Sequence, residues 1–338
     1  MREIRIGETL VGDGHPTYVI LEIARTYSSL DEAAEMIRIA ANEGVNAIKI
    51  QSIFAKELMV ENKNTFDYVK MLEGLERSRE EHVFLQKVCK ENNIDFLSTP
   101  EGPGMADLLQ EIGTPAFKVS SLNLVYYPLL RKLASTGKPV ILSTGMGKWD
   151  EIDTAVRMFS ESLSSLVLLH CSSTYPTNPE VSNLRNILSL RDMYNLVVGY
   201  SDHTVGPTAP AIAVALGASV IEKHFTLDRN QNGADHLVGV DPKMLKEMMS
   251  LIRETETLLG SKERRLCEDE LVMRRTKRRK LVLKRALNAG DSLGQDNLAC
   301  LQVKSEKGID SKNYDNFMAK TLRHALPANA ILEYGDIE

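Results

Sequence analysis

The chain has 338 residues, 43% hydrophobic and 26% charged, the balance of a folded globular protein rather than a disordered or fibrous one. Lys and Arg total 41 against 46 Asp and Glu, and a formal net charge of -5 gives no chain-wide cationic field for nucleic acid. The longest stretch without a charged residue or His, Thr204 to Ile221, is interrupted by Gly206, Pro207, Pro210 and Gly217, which argues against a membrane span.

Glu3, Glu8 and Asp13 stand where a secretory leader would carry its apolar run, so a cytosolic protein is expected. In chain order, eight short β-branched runs then alternate with helix-period segments: YVILEI (18 to 23), AIKIQ (47 to 51), DFLSTP (95 to 100), AFKVSS (116 to 121), PVILST (139 to 144), LVLLHCS (166 to 172), LVVGYSD (196 to 202) and SVIEKHFT (219 to 226). Between the first two, SLDEAAEMIRIAANEG places Ala33, Met36, Ile37 and Ala40 on one stripe and can end at Gly44. Residues 52 to 78 have weak periodicity and read as an active-site loop with a short helix.

Repeated strand-then-helix units closing near residue 260 predict an α/β protein of the (β/α)8 barrel type, with a doubly wound sheet as the alternative. Residues 261 to 280, ending in RRTKRRK, read as a basic linker, and residues 281 to 338 as a small, mainly β domain. Cys89, Cys171, Cys267 and Cys300 lack CxxC spacing and are expected to be reduced structural thiols. Cys171 beside His170 is no nucleophile pair, because strand neighbours face opposite ways.

In a barrel the chemistry gathers at the carboxyl ends of the strands, and here those ends are rich in polar residues. Glu22, Lys49, Gln51, Thr99, Lys118, Ser121, Ser173, Tyr175, Ser201, His203, Glu222 and His224 all fall there. Buried ammonium groups call for a compensating anion, so Lys49, Lys118 and the Ser/Thr collar predict a pocket for a small, multiply charged anion such as a phosphate ester. His203 and His224, on adjacent strands at matching heights, are candidate metal ligands that leave positions open for water or substrate oxygen.

The segments LLHCSSTYPTNPEVSNLRNI, VVGYSDHTVGPTAPAIAVALGASVIEKHFTLDRNQNGADH, FLSTP, AFKVSS and PVILSTGM resemble the sialic acid synthase family along nearly the whole chain. The resemblance implies condensation of phosphoenolpyruvate with an N-acylated aminosugar to a nonulosonic acid, aided by Mn2+ or Mg2+ on His203 and His224. It implies that Lys49, Thr99, Lys118, Ser121, Ser173 and Ser201 surround phosphoenolpyruvate, that Gln51, Tyr175 and Asp235 face the sugar, and that Glu22 and Glu222 handle protons or orient. It further implies that LVLKRALNAGDSLGQDNLACLQVKSEKGID opens an antifreeze-like domain, and that a domain-swapped homodimer brings Lys304 to the neighbour's sugar site.

The chain departs from the family pattern at three places. The stretch after the strand-one Glu, usually of Gly-x-Asn-His-Asn-Gly type, is here Ala24, Arg25, Thr26, Tyr27, Ser28 and Ser29. The usual Gly-Glu or Gly-Asp after the strand-four Ser is Leu122 and Asn123, and Lys304 stands where the family has Arg, without its bidentate fork. These changes concern the sugar half, so no particular acceptor is implied. Two other readings stay open: a Schiff-base aldolase using Lys49 or Lys118, and a barrel that binds a sugar or anion without turnover.

Overall fold

In the computed structural model, which describes residues 2–62 and 64–338, the chain divides into two compact units, Met1–Gly260 and Ser261–Glu338. The first opens with a hairpin that the sequence reading missed, β1 (Glu3–Ile6) and β2 (Thr9–Gly12), turning at Gly7 with φ 53°. Then come β3 (Tyr18–Glu22), α1 (Leu30–Asn42), β4 (Ala47–Ser52), α2 (Ala55–Leu58), α3 (Phe66–Glu73), α4 (Arg79–Glu91), β5 (Asp95–Pro100) and α5 (Pro103–Ile112). The unit continues through β6 (Phe117–Val119), α6 (Tyr127–Ser135), β7 (Val140–Ser143), α7 (Trp149–Arg157), β8 (Leu166–Cys171), α8 (Asn186–Tyr194), β9 (Val197–Asp202), α9 (Thr208–Ala215), β10 (Val220–His224), α10 (Ala234–Val238) and α11 (Pro242–Leu259).

Strands β3 to β10 coincide with the eight anticipated runs to within two residues at either end, and they close as a parallel barrel in the order β10-β3-β4-β5-β6-β7-β8-β9. The register sets Glu22 beside both His224 and Lys49, and Ser201 beside Glu222. Alternation along each strand sorts side chains into two cores. Val19, Leu21, Ile48, Ile50 and Val119 pack outward on the helix layer, including the predicted α1 stripe of Ala33, Met36, Ile37 and Ala40. Ile20, Ala47, Leu97, Ala116, Ile141, Leu169 and Val220 fill the barrel interior, where Ile4, Ile6 and Val11 of the hairpin join them. Burying each such Ile or Leu contributes about 1.5–3 kcal/mol.

Local signals explain the helix starts. Ser29 caps α1 by accepting from the Glu32 N–H at 3.2 Å, and Ser78 with Glu81 forms a reciprocal capping box at α4. The segment read as one loop with a short helix carries two helices, α2 and α3, held by a small cluster of Ile53, Ala55, Val69 and Leu72.

The second unit contains α12 (Glu268–Lys277), the antiparallel pair β11 (Arg279–Leu283) and β12 (Leu298–Gln302), and the single turn α13 (Tyr314–Phe317). Its core gathers Leu281, Leu283, Leu287, Leu293, Leu298, Ile309, Leu322, Leu332 and Ile337. The expected basic linker is therefore structured: RRTKRRK is the end of α12 and the start of β11. Glu268, Asp269 and Glu270 occupy the first turn of α12 and Arg274, Arg275 and Lys277 the last, which suits the helix dipole. Among the described residues no helix is long and apolar enough to cross a membrane.

Candidate active site

The inward positions of the barrel strands are apolar toward the amino end and polar toward the carboxyl end. Ile20 gives way to Glu22, Ala47 to Lys49 and Gln51, Ala116 to Lys118, Leu169 to Cys171, and Val220 to Glu222 and His224. The polar tier lines a cavity of about 260 Å³ at the barrel mouth.

Both lysines reach this one cavity, as the anion-pocket argument required, but they bring protein counter-ions with them. Lys49 Nζ pairs closely with Glu22 Oε2 and lies 3.8 Å from Glu222 Oε2. Lys118 Nζ lies 3.5 Å from the same Glu222 oxygen and donates to Ser143 Oγ at 2.7 Å and to the Val119 carbonyl at 2.9 Å. Glu222 Oε1 accepts from Ser201 Oγ at 2.9 Å. Burial opposes charge on Lys49, yet Glu22 and Glu222 outweigh it and hold its pKa above the ordinary lysine value. Burial alone would raise the Glu222 pKa, but Lys118 and Lys49 bring it down to about 2. For Lys118 burial wins over Glu222 and lowers the ammonium pKa. The expectation that burial obliges an external anion is thus corrected: Glu22 and Glu222 already compensate part of the charge.

The two imidazoles meet as predicted, with ring centroids 5.4 Å apart, and Tyr175 stacks on His203 at 4.0 Å. His203 Nδ1 lies 2.9 Å from the Ser172 carbonyl and must donate to it, so in the neutral ring Nε2 keeps its lone pair. His224 Nδ1 is buried without a hydrogen-bond partner, with Asp235 Oδ2 at 3.7 Å. Burial and the neighbouring His203 push the His224 pKa well below the usual histidine value, which keeps its ring neutral. Among the described residues no three His, Cys, Asp or Glu side chains converge tightly enough to enclose an ion. An orphaned buried imidazole nitrogen beside a second imidazole with a free lone pair nevertheless fits a divalent cation whose other positions are filled by non-protein oxygens.

Glu22, Lys49, Gln51, Lys118, Ser121, Ser173, Tyr175, Ser201, His203, Glu222 and His224 all line the cavity. Thr99 does not; it is fully buried beneath Lys49, whose Nζ donates to it at 3.3 Å. Asp235 sits on α10 beside His224 rather than on the cavity wall. Lys304 follows β12 in the second unit and is exposed.

Several lining residues were missed, Cys171, Glu101 and Arg25 among them. Cys171 was set aside with His170, and the two do face opposite ways: His170 bonds the Ser182 carbonyl at 2.7 Å, whereas Cys171 lies in the cavity 3.8 Å from His203 Nδ1. Glu101 went unread because it follows the last regular residue of β5, and Arg25 was noted only as part of the altered turn after β3, not as a site residue. The two-residue alternation that selects Thr99 also selects Glu101 and was the available signal.

Residues 36–264 match the NeuB family. The chain belongs to that family. This NeuB-family chain is 35% identical to an N,N'-diacetyllegionaminic acid synthase of Legionella pneumophila, covering 97% of this chain and 96% of that protein. It is 30% identical to an N-acetylneuraminate-9-phosphate synthase of Mus musculus, covering 92% of this chain and 89% of that one. Among solved structures it resembles an N-acetylneuraminic acid synthetase of Leptospira borgpetersenii, with TM-score 0.75 and 34% identity over 80% of this chain and 94% of the other.

Proposed function

We propose that this NeuB-family chain condenses phosphoenolpyruvate with the open-chain aldehyde of an N-acylated aminosugar, forming a nonulosonic acid and phosphate. In this reading carbon 3 of phosphoenolpyruvate bonds to the aldehyde carbon, water adds at carbon 2, and the carbon–oxygen bond to phosphate breaks. The supporting observation is that Lys49 and Lys118 share one cavity with the His203 and His224 imidazoles.

Lys118, Ser121, Ser143 and Ser173 form a donor-rich wall suited to carboxylate and phosphate oxygens. Lys49 and Lys118, already fixed by Glu22 and Glu222, bind the donor as preorganised charge rather than as nucleophiles. Glu222, whose Oε2 lies 3.5 Å from Lys118 Nζ, orients the ammonium. Mn2+ or Mg2+ held by His203 and His224 would supply Lewis-acid polarisation of the aldehyde oxygen. Tyr175, stacked on His203, and Gln51 face the space left for the acceptor, and the homodimer implied by the resemblance belongs to this same proposal.

The test is phosphate release from phosphoenolpyruvate with a panel of free and 6-phosphorylated N-acylated hexosamines, with and without chelator, alongside sedimentation of the full chain. Acceptor-dependent, chelator-sensitive release supports the reading. Absence of phosphate release with every acceptor in the panel favours a binding barrel, and loss of activity on borohydride treatment with a carbonyl substrate favours the Schiff-base alternative.

A further inference from the structure

Of the carboxylates that line the cavity, Glu22 and Glu222 are ion-paired with lysines, and Glu101 is not. Glu101 is 6% exposed, and among the described residues no cation lies within ion-pair distance of it. Its side-chain partner is neutral: Asn123 Nδ2 donates to Glu101 Oε2 at 2.7 Å. Arg25 lines the same cavity, and its buried Nε has no hydrogen-bond partner. The turn that carries Arg25 is pinned, because Thr26 Oγ1 donates to the Phe225 carbonyl at 2.7 Å and the Ala24 N–H donates to Glu22 Oε1 at 2.5 Å.

A buried carboxylate with spare acceptor capacity and a guanidinium with spare donors, left unpaired with each other, are costly to hold unless a ligand completes them. The ligand group that satisfies both must donate to Glu101 and accept from Arg25. A hydroxyl or an acylamino group does so. A phosphate or carboxylate offers acceptors alone and would face Glu101 without a donor.

Resting on the proposed condensation, we propose that Glu101 and Arg25 are specificity-determining residues for the acceptor, reading its hydroxyl or acylamino groups, with Asn123 positioning Glu101. Leu122 and Asn123 replace the acid that the family resemblance puts at this place, and the chain supplies a carboxylate from the end of β5 instead.

The experiment compares steady-state KM for the acceptor and for phosphoenolpyruvate in wild type, Glu101→Gln, Arg25→Gln and the double variant Glu101→Gln/Asn123→Glu, with phosphoenolpyruvate binding by calorimetry as a check on folding. Gln keeps the Asn123 contact, so the fold is retained. Loss of a hydrogen bond to a charged group corresponds to about a 10- to 100-fold change. The expected result is an acceptor KM raised by that factor in both single variants, a phosphoenolpyruvate KM and binding constant within about twofold of wild type, and partial recovery in the double variant. An unchanged acceptor KM in Glu101→Gln and Arg25→Gln, or equal rises in both KM values, overturns the inference while leaving the condensation intact. A wild type that releases no phosphate with any acceptor instead overturns the condensation, and acceptor binding by calorimetry in the same variants then decides the role of Glu101 and Arg25.

Discussion

Glu222 and Lys223 are consecutive in β10 and face opposite sides of the barrel wall. The Glu222 carboxylate lies 3.5 Å from Lys118 Nζ inside the cavity, whereas Lys223 Nζ donates to Asp202 Oδ2 at 2.7 Å on the helix side. Both ion pairs are buried, yet only one touches the space a substrate can enter.

That division predicts different consequences for two lysines. Lys223→Met leaves Asp202 buried without its cation and lowers unfolding free energy by about 3–5 kcal/mol, with phosphoenolpyruvate KM unchanged in the folded fraction. Lys118→Met raises phosphoenolpyruvate KM by a factor of about ten to a few hundred, the worth of a hydrogen bond to a charged group. Denaturant unfolding and initial-rate kinetics on both variants check the contrast.

Gly145 is required by space. A Cβ there would stand 2.3 Å from Ser173 Oγ, 2.7 Å from Ser121 Oγ and 3.2 Å from Cys171 Sγ. Ser121 Oγ also accepts from the Gly145 N–H at 3.0 Å. Gly145→Ala is expected to displace both hydroxyls and weaken phosphoenolpyruvate binding about tenfold or more, read by calorimetry with phosphoenolpyruvate alone.

The ladder of inward residues explains how much of this was legible in the sequence. Eight β-branched runs and their helices carry periodic signals strong enough to place the barrel and most of its polar rim. The hairpin of β1 and β2 escaped although Glu3–Ile6 alternates exposed and buried residues, because it lies outside the strand-then-helix repeat that picked out the barrel. The charged run before β11 looked like a linker because its charges obey the helix dipole rather than an apolar stripe. Arg25 lies in the turn after β3, which the Thr26 contact holds, whereas Glu101 was legible from the β5 alternation had it been carried one residue past Pro100.

At the opposite end of the barrel, Tyr18 Oη donates to Asp95 Oδ2 at 2.6 Å. Burial raises the Asp95 pKa above the ordinary aspartate value, against the pull of the Tyr18 hydrogen bond. The folded state therefore holds this proton more tightly than the unfolded state does. The associated stability is present below the ordinary carboxylate range and is lost as pH rises through the folded-state pKa. Asp95→Asn, which can still accept from Tyr18, is expected to be at least as stable as wild type at pH 7 and to lose that advantage near pH 4, as followed by thermal melts at the two pH values.

The charge web of the cavity floor predicts non-additivity. Glu222→Ala strands Lys118 and part of Lys49 in a buried site and costs about 3–5 kcal/mol, while adding Lys118→Met to it recovers part of that loss. A double-mutant cycle on unfolding free energy gives the coupling, and strict additivity would mean that the pair is not linked.

The reaction itself is tested most directly with phosphoenolpyruvate carrying 18O at the oxygen that bridges carbon 2 and phosphorus, incubated with the full chain, divalent cation and the best acceptor of the aminosugar panel. Cleavage of the carbon–oxygen bond sends the label into phosphate, and mass spectrometry is expected to find it there while the sugar acid product stays unlabelled. Label retained in the sugar acid, or no acceptor-dependent phosphate at all, would contradict the account.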